Sequence, residues 1–176
     1  MSKREALREL QTRLATRLQS AKAEGMSSAW LAVKAGGANY LFPLAQSGEI
    51  FPPVSIQAVP YVQPWFLGVA NLRGGLFGVV DLAAFLGAGA VPARSEQALA
   101  ESSVITFNAA LEINCALLIE GLAGLRHVEA FTASEPPPEG APAYLGTCYT
   151  DADGHRWQEI NLQLMSQSPQ FLSISA

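Results

Sequence analysis

The chain has 176 residues, of which 49% are hydrophobic and only 15% charged, with a formal net charge of −4. That composition excludes global disorder and suits one domain or two small lobes sharing a core. Residues 1–24 carry six Lys/Arg against three Glu, whereas the remainder carries five against twelve, a body of −7 that repels phosphate backbones and argues against nucleic-acid binding.

No apolar stretch approaches the ~20 residues needed to cross a bilayer, and the basic start lacks the apolar core of a secretory signal. A soluble cytoplasmic protein without direct membrane insertion is therefore expected. Cys115 and Cys148 lie in apolar settings and read as buried, reduced thiols.

In chain order, residues 4–24 read as a helix. Leu7, Leu10, Leu14, Leu18 and Ala21 form one apolar stripe, and Gly25 follows as a stop. Leu and Ala without Trp or Phe make a weak membrane face, so the stripe is expected to pack on the protein's own body or on a partner. Trp30–Lys34 and Tyr40–Leu44 read as strands of a hairpin turning at Gly36 and Gly37. Prolines 52, 53, 60 and 64 forbid a long helix across 50–64. Leu76–Val80 is a nearly continuous apolar run, as in a strand buried on both faces. Asp81 then caps a short helix ending at Gly87, and 87–100 reads as a small-residue loop.

Ser103–Phe107 and Ile113–Glu120 are further strands. A proline-rich loop at 136–142 leads to a second hairpin, with arms Tyr144–Tyr149 and Arg156–Ile160, and Leu162–Ser166 closes with a helical turn. Many short strands at regular spacing suggest a barrel or a pair of barrels.

Catalytic and metal constellations find little support. His127, His155 and the two cysteines match no zinc spacing. Asp151-Ala-Asp-Gly resembles the start of a calcium loop, but its Gly comes two positions early and no Glu occupies the twelfth position, so a hairpin turn explains it better. Neither a phosphate loop nor a nucleophile elbow is present. The expectation is no enzyme, no cofactor and no metal. A stand-alone small-ligand barrel would require an enclosed pocket with convergent polar groups, and the sequence offers no strong candidate.

Arg73 is the only basic residue between Lys34 and Arg94, and Gly74 and Gly75 follow it. Glycines permit a tight turn that would present the guanidinium at a strand mouth, where its five-donor fork suits an interface. The competing reading pairs Arg73 with an internal carboxylate, Asp81 or Glu49. Tyr61, Trp65 and Phe66 flank the segment as aromatic anchors or, for Trp65 and Phe66, as core.

The run GVANLRGGLFGVVDL (68–82) resembles the signature of the CheW-like chemotaxis coupling proteins, approximately G-V-x-N-L-R-G-x-x-x-P-V-V-D-L. YLFPLAQSGEI (40–50), VITFN (104–108) and LLIEGLAGL (117–125) extend the resemblance over roughly 27–165. The basic helix and the ending PQFLSISA (169–176) are more similar to the twitching-motility branch than to the flagellar one. Departures are Gly78 in place of Pro, Glu120 of Asp and Ala116 of Gly, and residues 109–114 lack a clean turn signal.

The resemblance implies a mainly β fold of two packed, five-stranded SH3-like barrels (26–168), preceded by a helical extension (1–25) and followed by a tail (169–176). It implies an adaptor joining the regulatory domain of a CheA-type histidine kinase to the signalling tip of methyl-accepting chemoreceptors, at membrane-bound receptor arrays. Glu49 and Gly68 would lie on the kinase-binding side, and Asn71, Arg73 and Gly74 at the receptor and signalling surface.

Overall fold

The computed structural model describes residues 3–14, 29–87 and 95–176. Its strands are β1 (Ala29–Ala35), β2 (Ala38–Pro43), β3 (Ser47–Phe51), β4 (Phe66–Leu72), β5 (Gly75–Asp81), β6 (Ser103–Phe107), β7 (Cys115–Ile119), β8 (Gly121–His127), β9 (Phe131–Glu135), β10 (Leu145–Asp151) and β11 (Arg156–Ile160). Helix α1 spans 3–14, with α2 (Leu82–Phe85), α3 (Glu96–Glu101), α4 (Leu162–Gln167) and α5 (Pro169–Leu172) following.

Two sheets form, in the orders β8-β1-β2-β11-β10-β9 and β3-β6-β7-β5-β4. In each, two strands consecutive in the chain border opposite edges, so the connecting segment closes the sheet on itself. Residues 121–135 do this in the first lobe, where a 3-10 turn at Val128–Ala130 divides one bent segment into β8 and β9. With that segment counted once, the lobe has the expected five strands. In the second lobe Gln57, between β3 and β4, exchanges both backbone hydrogen bonds with Val69 of β4 at 2.8 and 2.9 Å. Closure leaves few open strand edges. The architecture is two SH3-like β lobes.

The strand period of two explains the apolar runs. Trp30 and Ala32 of β1 join Leu41 and Trp157 inside the first barrel, while Leu31, Val33 and Ala35 point the other way. In the second lobe, Val79, Val104, Ala116 and Leu118 fill the barrel, while Val80, Ile105, Leu117 and Ile119 face outward. The two outward sets meet in the largest core cluster, which is therefore the seam between the lobes. Where the strands meet there they are buried on both faces, as at Val79 and Val80 of β5, whereas Leu76, at the start of the run expected to be buried throughout, is 67% exposed beside the turn.

Three expectations need correction. Residues 96–101 form helix α3, capped by the Ser95 hydroxyl accepting from the Ala98 N–H at 3.1 Å, where a loop was expected. Residues 169–176 are part of the body: Phe171 is buried in the seam, and the Val62–Ser175 bridge ties the chain end to the β3–β4 connection. Cys115 and Cys148 are both free and only half-buried.

Other departures resolve locally. The turn at 109–114 is made by Asn108, whose side chain accepts from the Ala110 N–H at 2.9 Å, and by Glu112 in the left-handed region at φ 54°. Glu120 accepts from the Gly36 N–H at 2.8 Å, tying the turn after β7 to the β1–β2 turn.

Leu7, Leu10 and Leu14 of α1 are all at least half exposed, and Leu18, Ala21 and Gly25 lie outside the described residues. Helix α1 adds nothing to the three core clusters. A chain lacking residues 1–24 is expected to fold with a melting temperature within about 3 °C of full length. Loss of cooperative melting in that truncation would place the helix in the core. No helix among the described residues is long and apolar enough to cross a membrane.

Candidate functional site

The site is built on the β4–β5 hairpin. Leu72 and Gly75 form its last pair, leaving Arg73 and Gly74 as a two-residue loop with φ of 49° and 79°. Two successive positive φ values define the type I′ turn, whose twist matches that of antiparallel strands. The Asn71 side chain accepts from the Gly74 N–H at 3.0 Å and fixes the turn. Arg73 is thus a non-glycine residue held in the left-handed region, where side chains are uncommon.

Its guanidinium reaches across the barrel mouth to Glu49 of β3, with Nη2 2.5 Å from Oε1. The side chains are 75% and 48% exposed, so this is a surface ion pair, worth about 0–1 kcal/mol to folding. Glu49 is the carboxylate the sequence offered as a partner, but the pair is not sequestered. The other candidate, Asp81, is buried and accepts from the Ala84 N–H at 3.4 Å as the cap of α2. Behind the pair lies an open groove of about 620 Å³ with Leu72, Phe77 and Ile113 among its walls and Glu112 at its edge. An apolar floor with a charged rim can seat a protein segment and orient it.

The pair has backbone support. Thr106 Oγ1 accepts from the Glu49 N–H at 2.8 Å, and Gly48 packs so closely on Thr106 and Phe107 that a Cβ there would strike the backbone. Glu49 and Arg73, expected on different partner surfaces, are therefore brought together.

Gly68 differs from expectation. It is buried, at φ 141°, and a Cβ there would strike the carbonyl of Gln57. Its role is to let the β3–β4 connection close over β4, and it offers no surface of its own. Gly68→Ala is expected to destabilise the fold by about 3 kcal/mol, read as a loss of roughly 10 °C in melting temperature.

Trp65 and Phe66 are core residues. Trp65 packs edge-on to Phe85 at 5.1 Å between ring centroids, and both it and Phe66 belong to the seam cluster, so the anchor role is withdrawn for these two. Tyr61 is 89% exposed at φ 60°, its carbonyl accepting from the Ala176 N–H at 3.1 Å. The chain end thereby holds an exposed aromatic ring in an uncommon conformation.

Asp151, Asp153 and His155 cluster within 4.8 Å at the β10–β11 turn. One Asp151 oxygen accepts from the backbone N–H groups of Asp153 and His155, and the other from Trp157 Nε1 at 3.0 Å, which is the bonding of a hairpin turn. The Trp157 bond, chiefly, holds the Asp151 carboxyl below its ordinary range. A depressed folded-state value means stability present above the unfolded pKa of about 4 and lost as pH falls through the folded value. Asp151→Asn is expected to flatten that acid-side loss in a series of thermal melts from pH 5 to 2. Burial raises the Cys115 thiol, so it stays protonated near neutrality.

The model of the CheW-like domain matches residues 29–170, and the chain belongs to that family. It is similar to Protein PilI of Pseudomonas aeruginosa, with 26% identity over 167 residues covering 93% of this chain and 89% of that protein. Its fold is similar to that of the scaffolding protein TtCheW from Thermoanaerobacter tengcongensis, at a TM-score of 0.63 and 18% identity, covering 82% of this chain and 96% of that one.

Proposed function

We propose that the chain is a non-catalytic adaptor that couples methyl-accepting chemoreceptors to a CheA-type histidine kinase, in an array governing type IV pilus twitching motility. The observation that carries this reading is the exposed Arg73–Glu49 pair at the mouth of the second lobe. A coupling protein must bind two partners and favour one joint arrangement over another. Glu49 serves the kinase side, with Gly68 shaping β4 where the β3–β4 connection closes the same lobe, and Asn71, Arg73 and Gly74 serve the receptor side. A partner that draws either charge out of the pair changes what the other charge offers its own partner. The likeness to PilI favours the pilus branch over a flagellar pathway.

The test is co-purification with a cognate kinase regulatory domain and a receptor signalling tip. A ternary complex is expected, together with receptor-dependent control of kinase activity. A chain that binds neither partner overturns the reading.

A further inference from the structure

Two apolar faces on this molecule lack cover among the described residues, and each has the form the other requires. The first is the α1 stripe, where Leu7, Leu10 and Leu14 are 57%, 54% and 50% exposed. The second lies on β8, where Leu122 and Leu125 are 44% and 54% exposed. Their register partners are Val33 and Leu31 of β1, both buried in the seam between the lobes. Cross-strand partners share a face. The bulge between Ala32 and Val33 brings Leu122 and Leu125, three residues apart, to that same face. The seam layer thus continues outward onto β8 and there runs out of cover.

Charge points to the same pairing. At about 100° per residue, Arg4 and Arg13 flank the leucine stripe on either side, while Glu5 and Glu9 lie toward the back of the helix. Glu129 lies in the 3-10 turn that follows β8, four residues beyond Leu125. Arg126 is turned the other way, with its guanidinium 5.5 Å from the Trp157 ring. Connectivity agrees as well. Residues 15–28 join the helix to β1 and span at most about 50 Å, and the first residue of β1, Ala29, pairs with His127 at the end of β8. The chain therefore enters β1 beside the uncovered face, and a helix tethered within that reach has a high effective concentration there.

We infer that helix α1 docks in cis on the Leu122/Leu125 face of β8, as a built-in, displaceable cover for the edge of the interlobe seam. The docking goes beyond the adaptor reading and does not depend on it. A partner that uses this face must first displace the helix, which lowers its apparent affinity by the fraction of molecules in which the helix is docked.

The test uses the full chain and limited trypsin cleavage at Arg4, Arg8 and Arg13. Cleavage is expected to be slow in the wild type and to accelerate about tenfold in Leu125→Glu, with Leu10→Glu giving a matching rise in amide exchange along β8. Leu125→Gln, with tryptophan emission as a check of the fold, covers the case in which the glutamate variant fails to fold. Equal cleavage in the wild type and both variants overturns the inference. So does protection that grows with protein concentration, since the helix would then be covering a second copy. Sedimentation of the wild type with vesicles of anionic phospholipid, with cleavage already fast in their absence, overturns it in favour of a membrane-facing stripe.

Discussion

Arg73→Glu is expected to cut receptor control of the kinase at least about tenfold, equivalent to ~1.4 kcal/mol of coupling, with a melting temperature within about 2 °C of wild type. The two effects separate because the pair is exposed. Its removal costs folding little, and the turn geometry is set by Asn71 and Gly74, which the substitution leaves alone. The function lost is specific: a cation at the groove mouth becomes an anion beside Glu49, opposing any partner that docks through a carboxylate. The swapped pair, Arg73→Glu with Glu49→Arg, sharpens the test. It restores the ion pair but leaves each charge on the wrong side, so coupling should stay lost. Recovery in the swap would show that the pair acts only by holding the mouth closed.

Phe171→Ala is expected to lower stability by about 3–5 kcal/mol, a fall of roughly 10–15 °C in melting temperature. Phe171 is 4% exposed, and its ring lies 5.6 Å from Phe85, 6.3 Å from Trp65 and 5.9 Å from Phe107 between centroids. Truncation leaves a cavity among three aromatic rings that belong to different segments of the chain, none of which can relax into it without moving a backbone element. Thermal melts followed by tryptophan emission read the effect directly, since Trp65 reports from the same cluster. A melt unchanged from wild type would return residues 169–176 to the status of a loose tail.

Much of the fold was legible because strand periodicity and turn residues act locally. The β1–β2 hairpin announced itself through Gly36 and Gly37, the β10–β11 hairpin through Asp151 to Gly154, and α2 through the Asp81 cap. What stayed hidden depends on distant packing. Residues 131–135 make a strand because β10 pairs with them, although Thr-Ala-Ser-Glu has no apolar alternation to mark it. Phe171 sits in a sequence that ends like a tail, and Trp65, Phe85 and Phe107, 64 to 106 residues away, give it a place to pack. The α3 helix carried a Ser95 cap signal, obscured by the small-residue context around it.

The candidate site was half legible. An isolated arginine before two glycines pointed to a displayed side chain, and Glu49 was one of two carboxylates offered as its partner. The choice between them turned on β3 and the β4–β5 hairpin bordering the same barrel mouth, a fact of topology. Gly68 owes its being glycine to the carbonyl of Gln57, eleven positions back, which no local pattern reveals.

The order in which the chain visits the lobes carries a consequence for synthesis. Strands β3 to β7 come from one unbroken stretch, 47–119, whereas the other lobe is assembled from β1–β2 and from β8–β11. During translation the later-numbered lobe can complete itself while its neighbour is still missing most of its strands. The opening hairpin, with Trp30, Ala32 and Leu41 lacking Trp157 and the rest of their barrel, must wait on the ribosome until residue 160 has emerged. Nascent chains of which residues 1–140 have emerged are therefore expected to hold one finished barrel and one apolar hairpin in need of a chaperone.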